Sequence, residues 1–271
     1  MKKIWKRIFR HYVSALSGAA FTRLISFVTA IEIARALSVE DFGYFSFFFV
    51  TMHIIKSVLY VLDINYIKEI DSDLKEEYIG LLVFAKFAVS VVVIAFLLPV
   101  VFLYTFYFPL EGFQKMLVYG VLAGVMFGLL NSLATYYREQ FKFFRSSLIG
   151  SFFTYMVFMA ISFYVFVLHS LTLEIVLNVF VLSSFAMSVM VIVVFLGPLR
   201  SVAREGGALV KKLRGFLSTM RGMWSAHLIT VVGQRIDVVI LPFIFAPHEI
   251  GLYGAAVRIS QIVQFLVDSI V

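Results

Sequence analysis

The sequence predicts an all-α polytopic membrane protein: a six-helix lobe followed by the first two helices of a second, parallel-repeat lobe that is truncated. Three observations carry that prediction. The 271 residues are 62% hydrophobic and 14% charged, with a mean hydropathy of +0.98. A soluble domain of this length has too little interior to hide so much apolar surface, so lipid is its solvent. The apolar residues also fall in long runs, and a helix needs roughly 20 of them in succession to cross a bilayer. Finally, the basic residues collect in alternate gaps between those runs, which is the pattern of membrane topology. The formal charge of +7 therefore points to topology, and no nucleic-acid partner is expected.

Seven complete spans satisfy the length test, at about 13–36, 42–67, 79–106, 114–137, 147–168, 173–197 and 223–246, and an eighth begins near 251. The basic start resembles a signal-peptide n-region, but the apolar run from Val13 to Ala36 is too long for one and Arg23 interrupts it. An uncleaved first helix is predicted instead. The third span is long enough to tilt or to end in the aromatic segment Tyr104 to Phe108, before Pro109 stops it. In the fourth, Gly120, Gly124 and Gly128 form a small-xxx-small ladder, the pattern of a close helix–helix contact, with Asn131 nearby as interhelical glue. The phenylalanine and tyrosine load reads as lipid-facing surface and interfacial belt.

Orientation follows from lysine and arginine. Residues 1–12 and the second-to-third, fourth-to-fifth and sixth-to-seventh connections hold sixteen, whereas the alternate connections hold Lys115 alone. Positive residues stay inside, so the N-terminus is predicted to be cytoplasmic. Residues 198–222 form the long basic connection between the lobes. Val202, Leu209, Val210, Leu213 and Leu217 suit an amphipathic helix on the membrane within it, and its arginines and lysines suit anionic lipid or a substrate phosphate. The chain thus divides into 1–197 (the six-helix lobe), 198–222 (linker) and 223–271 (helix seven and part of helix eight).

The division rests on an internal repeat. Ala36 to Phe45 ends the first helix and starts the second, and an offset of 208 brings it onto Ile244 to Tyr253. Both copies read as an apolar end, a four-residue acidic turn, an apolar residue, glycine, then an aromatic. The same offset sends His53 to Gln261 and Lys56 to Gln264. Six helices is an even number, so both copies keep one orientation; parallel repeats of this kind mark transporters that bind substrate between their halves.

Ionisable groups in hydrocarbon cost at least about 2.5 kcal/mol each, so the intramembrane ones are the candidate site. His53, Lys56, Tyr60 and Asp63 fall on one stripe of the second helix. That stripe is either a cavity wall or a polar seam with each charge paired to a neighbouring helix. Arg23 sits midway along the first helix, and Glu32 lies on its opposite face, within reach of Arg35 for a local structural pair. Arg235 matches Arg23 in depth. Asp237 faces away from it, suited to a cation or to an arginine elsewhere. Arg258, Gln261 and Asp268 share a face of the eighth helix. Lys86, near the end of the third, is expected to snorkel to the interface. Without cysteine there is no thiolate metal site or disulfide. HExxH, nucleophile-elbow and phosphate-loop motifs are absent, and the five histidines are dispersed, so no enzyme, metal or cofactor is expected.

The basic N-terminus, the stretch Ala34 to Ser46, and Asp237 to Leu241 followed by Ile250 to Ile259 together resemble the polysaccharide biosynthesis proteins. That family includes the O-antigen flippases, in the multidrug/oligosaccharidyl-lipid/polysaccharide exporter superfamily. The resemblance implies two six-helix lobes around a central cationic cavity in a bacterial inner membrane. It also implies transfer of an undecaprenyl-diphosphate-linked oligosaccharide from inner to outer leaflet by alternating access. Lipid-linked oligosaccharide and membrane lipids are the implied partners, with a polysaccharide polymerase and a chain-length regulator alongside. Arg23, Arg35, Arg235, Asp237 and Arg258 occupy positions where the family places charge. Arg23, Lys56, Arg235 and Arg258 are thus the expected cavity cations, and Asp63, Asp237 and Glu32 the expected ion-coupling carboxylates. The departure is length, since the chain stops inside the eighth helix. A drug/toxin extruder of the same superfamily is the alternative; it would favour carboxylates over arginines. An enzyme such as a membrane glycosyltransferase would need a sizeable outer loop, which the short connections lack. A fragment without function is the third expectation.

Overall fold

The computed structural model describes residues 21–69, 75–107, 112–140, 142–204, 211, 214–215, 217–218, 221–233 and 236–270. Among them the secondary structure is helical throughout. Helix α1 covers 21–36, followed by α2 (Val39–Glu69), α3 (Lys75–Tyr107), α4 (Phe113–Glu139), α5 (Phe143–Phe166) and α6 (Leu173–Val194). Then come α7 (Leu196–Arg204), α8 (Arg221–Gly233), α9 (Ile236–Ile240), a 3₁₀ turn (Leu241–Phe243) and α10 (Pro247–Ile270). Five stretches are long and apolar enough to cross a membrane: Val39–Asp63, Ile79–Leu97, Phe113–Arg138, Phe143–Phe166 and Leu173–Val194. They fall on the second to sixth predicted spans, and the protein is an all-α polytopic membrane protein.

The predicted seventh span, 223–246, is helical over Arg221–Gly233 and Ile236–Ile240, with residues 234 and 235 outside the described residues, and passes into a 3₁₀ turn, Leu241–Phe243, at Pro242. Proline supplies no amide donor, so the regular helix gives out before residue 246. An amphipathic helix stands at Leu196–Arg204, and its last turn carries Arg204; most of the stretch from Val202 to Leu217, where one was expected, lies outside the described residues.

Helix α2 is the centre of the packing, and its glycine-bearing neighbours explain why. Gly120 and Gly124 of α4 lie against Thr51 and Met52: a Cβ on Gly120 would sit 2.8 Å from Thr51 Cβ, and one on Gly124 2.7 Å from the Met52 carbonyl oxygen. Gly128 meets Leu59 one turn further along. In lipid, where apolar surface gives no drive to associate, close backbone approach of this kind supplies the van der Waals contact. Phe45 and Phe48 fill the space beyond, ringed by Phe180 of α6, with Phe127 stacked on Phe153 of α5 at 4.1 Å.

The starts of α2 and α10 are built alike. Ser38 Oγ accepts from the Asp41 amide at 3.1 Å, a side-chain cap on an exposed amide. At the other start Ala246 has no side-chain oxygen, so Glu249 accepts from the Ala246 amide at 2.7 Å, the second half of a capping box, with Pro247 at the first helical position. The eighth helix therefore begins at Pro247, not near 251. The two starts cross face to face. A Cβ on Gly43 would run into the Pro247 carbonyl oxygen, and one on Gly251 into the Val39 carbonyl oxygen. These are equivalent contacts under the offset of 208 found in the sequence. Ser46 and Gly254, equivalent to each other by the same offset, touch across the crossing. The two helices thus meet about a local two-fold relation, and each glycine is needed because a side chain there would separate them.

Candidate functional site

Below that crossing, α2 turns a row of rings and cations towards α10. From Phe45 the sequence places Phe49 and His53 at successive four-residue steps and Lys56 three further on, all on one face. Arg258 of α10 lays its guanidinium over Phe49, 3.8 Å from the ring centroid, and lies 5.8 Å from that of Phe45. His53 packs against Phe49 with centroids 4.3 Å apart and meets the edge of Phe127 at 6.4 Å. Lys56 holds its ammonium 3.8 Å from the Phe127 centroid. The order along α2 is therefore Arg258, Phe49, His53, Phe127, Lys56. Phe49, His53, Lys56 and Arg258 are all half-buried.

The lower part of the stripe does something else. Asp63 and Lys86 are both fully buried and joined at 2.7 Å. Lys86 also donates to the Gly128 carbonyl at 2.9 Å. The expectation that Lys86 snorkels to the interface is thereby corrected: α3 aims it into the bundle, where the carboxylate of α2 and the glycine carbonyl of α4 hold it. Asp63 Oδ1 has no hydrogen-bond partner. The lower part of the stripe is thus a paired seam between α2, α3 and α4, while the upper part sets its cations against aromatic rings. Helix α8 leans on the same region, where Trp224 Nε1 donates to the Val58 carbonyl at 3.1 Å and His227 faces Tyr60 at 6.2 Å.

The remaining expected residues are placed as follows. Arg23 is exposed on α1, next to Thr22, whose hydroxyl donates to Ser151 Oγ of α5 at 2.6 Å. Glu32 accepts from Ser162 Oγ at 3.0 and 3.1 Å. The expected Glu32–Arg35 pair is not among the ion pairs of the described residues, because α5 offers Glu32 a hydroxyl while Arg35 stays exposed. Asp237 accepts the Tyr253 hydroxyl. Arg235 lies outside the described residues, and the side chains of Gln261, Gln264 and Asp268 are likewise not described. The structure brings Lys56 and Arg258 into one row and ties Asp63 to Lys86.

Sequence reasoning missed Phe49 and Phe127 as the partners of the cations. The signal was available for Phe49, which is one helical turn before His53. For Phe127 it was not, since only the α2–α4 register sets that ring beneath Lys56. No group of three or more histidine, cysteine, aspartate or glutamate side chains suited to a metal occurs among the described residues.

No protein-family model, curated protein or solved structure matches this chain.

Proposed function

We propose that the protein is a transporter that flips an undecaprenyl-diphosphate-linked oligosaccharide, an O-antigen, capsular or exopolysaccharide unit, from the inner to the outer leaflet by alternating access. The observation that carries this reading is the row of Arg258, His53 and Lys56 between α2 and α10, within the length of a membrane-spanning helix. Cations there are costly unless they serve an anion or a polar path. A diphosphate headgroup is such an anion, and a guanidinium offers it a planar fork of donors. The local two-fold relation of α2 and α10 supports a pathway between two repeats, as does the paired start sequence. On this reading Arg23 and Arg235 are further substrate-binding cations, and the chain lies in a bacterial inner membrane with its N-terminus in the cytoplasm.

The extruder alternative is less well supported by the same site. A cationic drug needs carboxylates on the seam, yet Asp63 is held by Lys86, Asp237 by Tyr253 and Glu32 by Ser162. The test is transfer of a fluorescent short-chain prenyl-diphosphate disaccharide between leaflets of vesicles containing the purified chain. Removing a charge-assisted contact costs about 1.5–3 kcal/mol, so Arg258→Gln and Lys56→Met should each slow transfer roughly tenfold or more. Arg200→Gln, on the surface-lying α7, should not. Equal rates in all four proteins would overturn the proposal.

A further inference from the structure

Lys115 stands where two rules disfavour a cation. It is the one basic residue of the connections predicted to lie outside. It also falls in the first turn of α4, where the helix dipole opposes positive charge. What it faces is a cleft of about 400 Å³ at the starts of α2, α4 and α6, lined as well by Asp41, Tyr44 and Glu174. Buried Met116 and Leu177 supply its apolar lining. Three of the membrane-length apolar stretches begin here, at Val39, Phe113 and Leu173, so the cleft lies at the level where hydrocarbon gives way to lipid headgroups. We propose that it binds the phosphoethanolamine headgroup of a membrane lipid, with the ammonium on Asp41 and the phosphodiester on Lys115. This site is separate from the row between α2 and α10 and stands or falls apart from the transport reading.

The chemistry of the lining selects that headgroup. Lys115 donates to Glu174 at 3.3 Å, and both side chains are at least half exposed. An ammonium has three donors, so Lys115 can keep Glu174 and hold a phosphate oxygen as well. The half-buried Asp41 forms no ion pair among the described residues, which leaves its carboxylate for a cation brought by the ligand. Tyr44 gives the cleft a fixed wall. Its ring lies against Gly112, where a Cβ would meet it at 2.7 Å, and packs on Phe113 at 4.8 Å. The cleft thus offers two carboxylates and one ammonium around an apolar lining, the few placed polar groups of a small-molecule site. A purely anionic headgroup would meet Asp41 and Glu174 unfavourably, and a choline has no N–H to give Asp41. A simple amine would leave Lys115 without an anion of the ligand's own. A zwitterion that carries an ammonium beside a phosphodiester answers both.

The experiment titrates the purified full chain in detergent with phosphatidylethanolamine, phosphatidylcholine and phosphatidylglycerol of the same acyl chains, and reads the bound fraction by native mass spectrometry. The wild type should bind phosphatidylethanolamine several-fold more tightly than either of the others. In Asp41→Asn that affinity should fall roughly 3- to 10-fold, less than for a fully buried charged contact because the cleft is open to water. Its preference over phosphatidylcholine should vanish. Lys115→Met removes the phosphate contact and should weaken both of these lipids alike, keeping their ratio. Glu40→Gln, one residue earlier and outside the cleft, should bind like the wild type. The ratio is measured within one protein, so a folding defect that lowers all binding does not imitate the loss of preference. A wild type that binds the three lipids alike, or an unchanged ratio in Asp41→Asn, overturns the proposal. So does an equal loss of preference in Glu40→Gln, which would assign the effect to overall charge. Water-soluble glycerophosphoethanolamine separates membrane from solution as the source. Displacement of the bound lipid at equal concentration would overturn the lipid assignment, and no displacement upholds it.

Discussion

Asp63 and Lys86 show how much one side chain's partner decides. Each is fully buried and each would be an uncompensated charge without the other. Breaking such a pair costs about 3–5 kcal/mol, whereas replacing both members by apolar residues of similar volume is often neutral. Asp63→Leu and Lys86→Met should thus each lower the thermal midpoint of the detergent-solubilised protein sharply, and the double variant should recover most of the loss. Additive losses in the double variant would show that the two side chains act separately, on other partners. Asp63 was legible as a polar position on the α2 stripe, since helical period reports which residues share a face. Lys86 was not. Its partner lies on a different helix, and a single chain's periodicity carries no information about how neighbouring helices are rotated. The same gap hid Phe127 beneath Lys56, while Glu32 drew Ser162 of α5 instead of the nearby Arg35.

At the level of elements, the helix starts were the most readable part of the chain. Ser38 with Asp41, and Pro247 with Glu249, announce two N-termini by residue type, and both caps form. Their similarity at an offset of 208 also foretold that they are related, though not that they would cross. What sequence could not supply was the contact of Gly43 with Pro247 and of Gly251 with Val39. That crossing gives a prediction suited to a chain with no native cysteine. Ser46→Cys with Gly254→Cys should form an intramolecular disulfide under mild oxidation, read after denaturation as loss of labelling by a thiol-reactive polymer, while either single variant, denatured in the same way, labels fully. Persistent labelling of the double variant would contradict the observed α2–α10 contact. The end of the predicted seventh span marks the opposite case. Pro242 was visible in the sequence, but a count of apolar residues ignores backbone breakers, so helix was predicted to 246 where a 3₁₀ turn stands at Leu241–Phe243.

Across the whole molecule, composition sufficed for the class: lipid as solvent, helices as elements and, among the described residues, membrane-length apolar helices at the second to sixth of the seven complete spans expected. The reading of a repeat depends on a weaker signal, a ten-residue similarity and a few polar positions, and the structure bears on it at the α2–α10 crossing. The central claim is that the row between α2 and α10 receives the diphosphate headgroup, and photolabelling tests it most directly. A prenyl diphosphate carrying a photoreactive group beside its phosphates is bound to the purified chain, irradiated, and its attachment mapped by peptide sequencing. The account predicts attachment within residues 45–60 of α2 and 250–260 of α10, competed by unlabelled ligand and lost in Arg258→Gln. Attachment confined to the exposed faces of α5 and α6, where Phe152, Met159, Leu182 and Phe185 point outward, would contradict it.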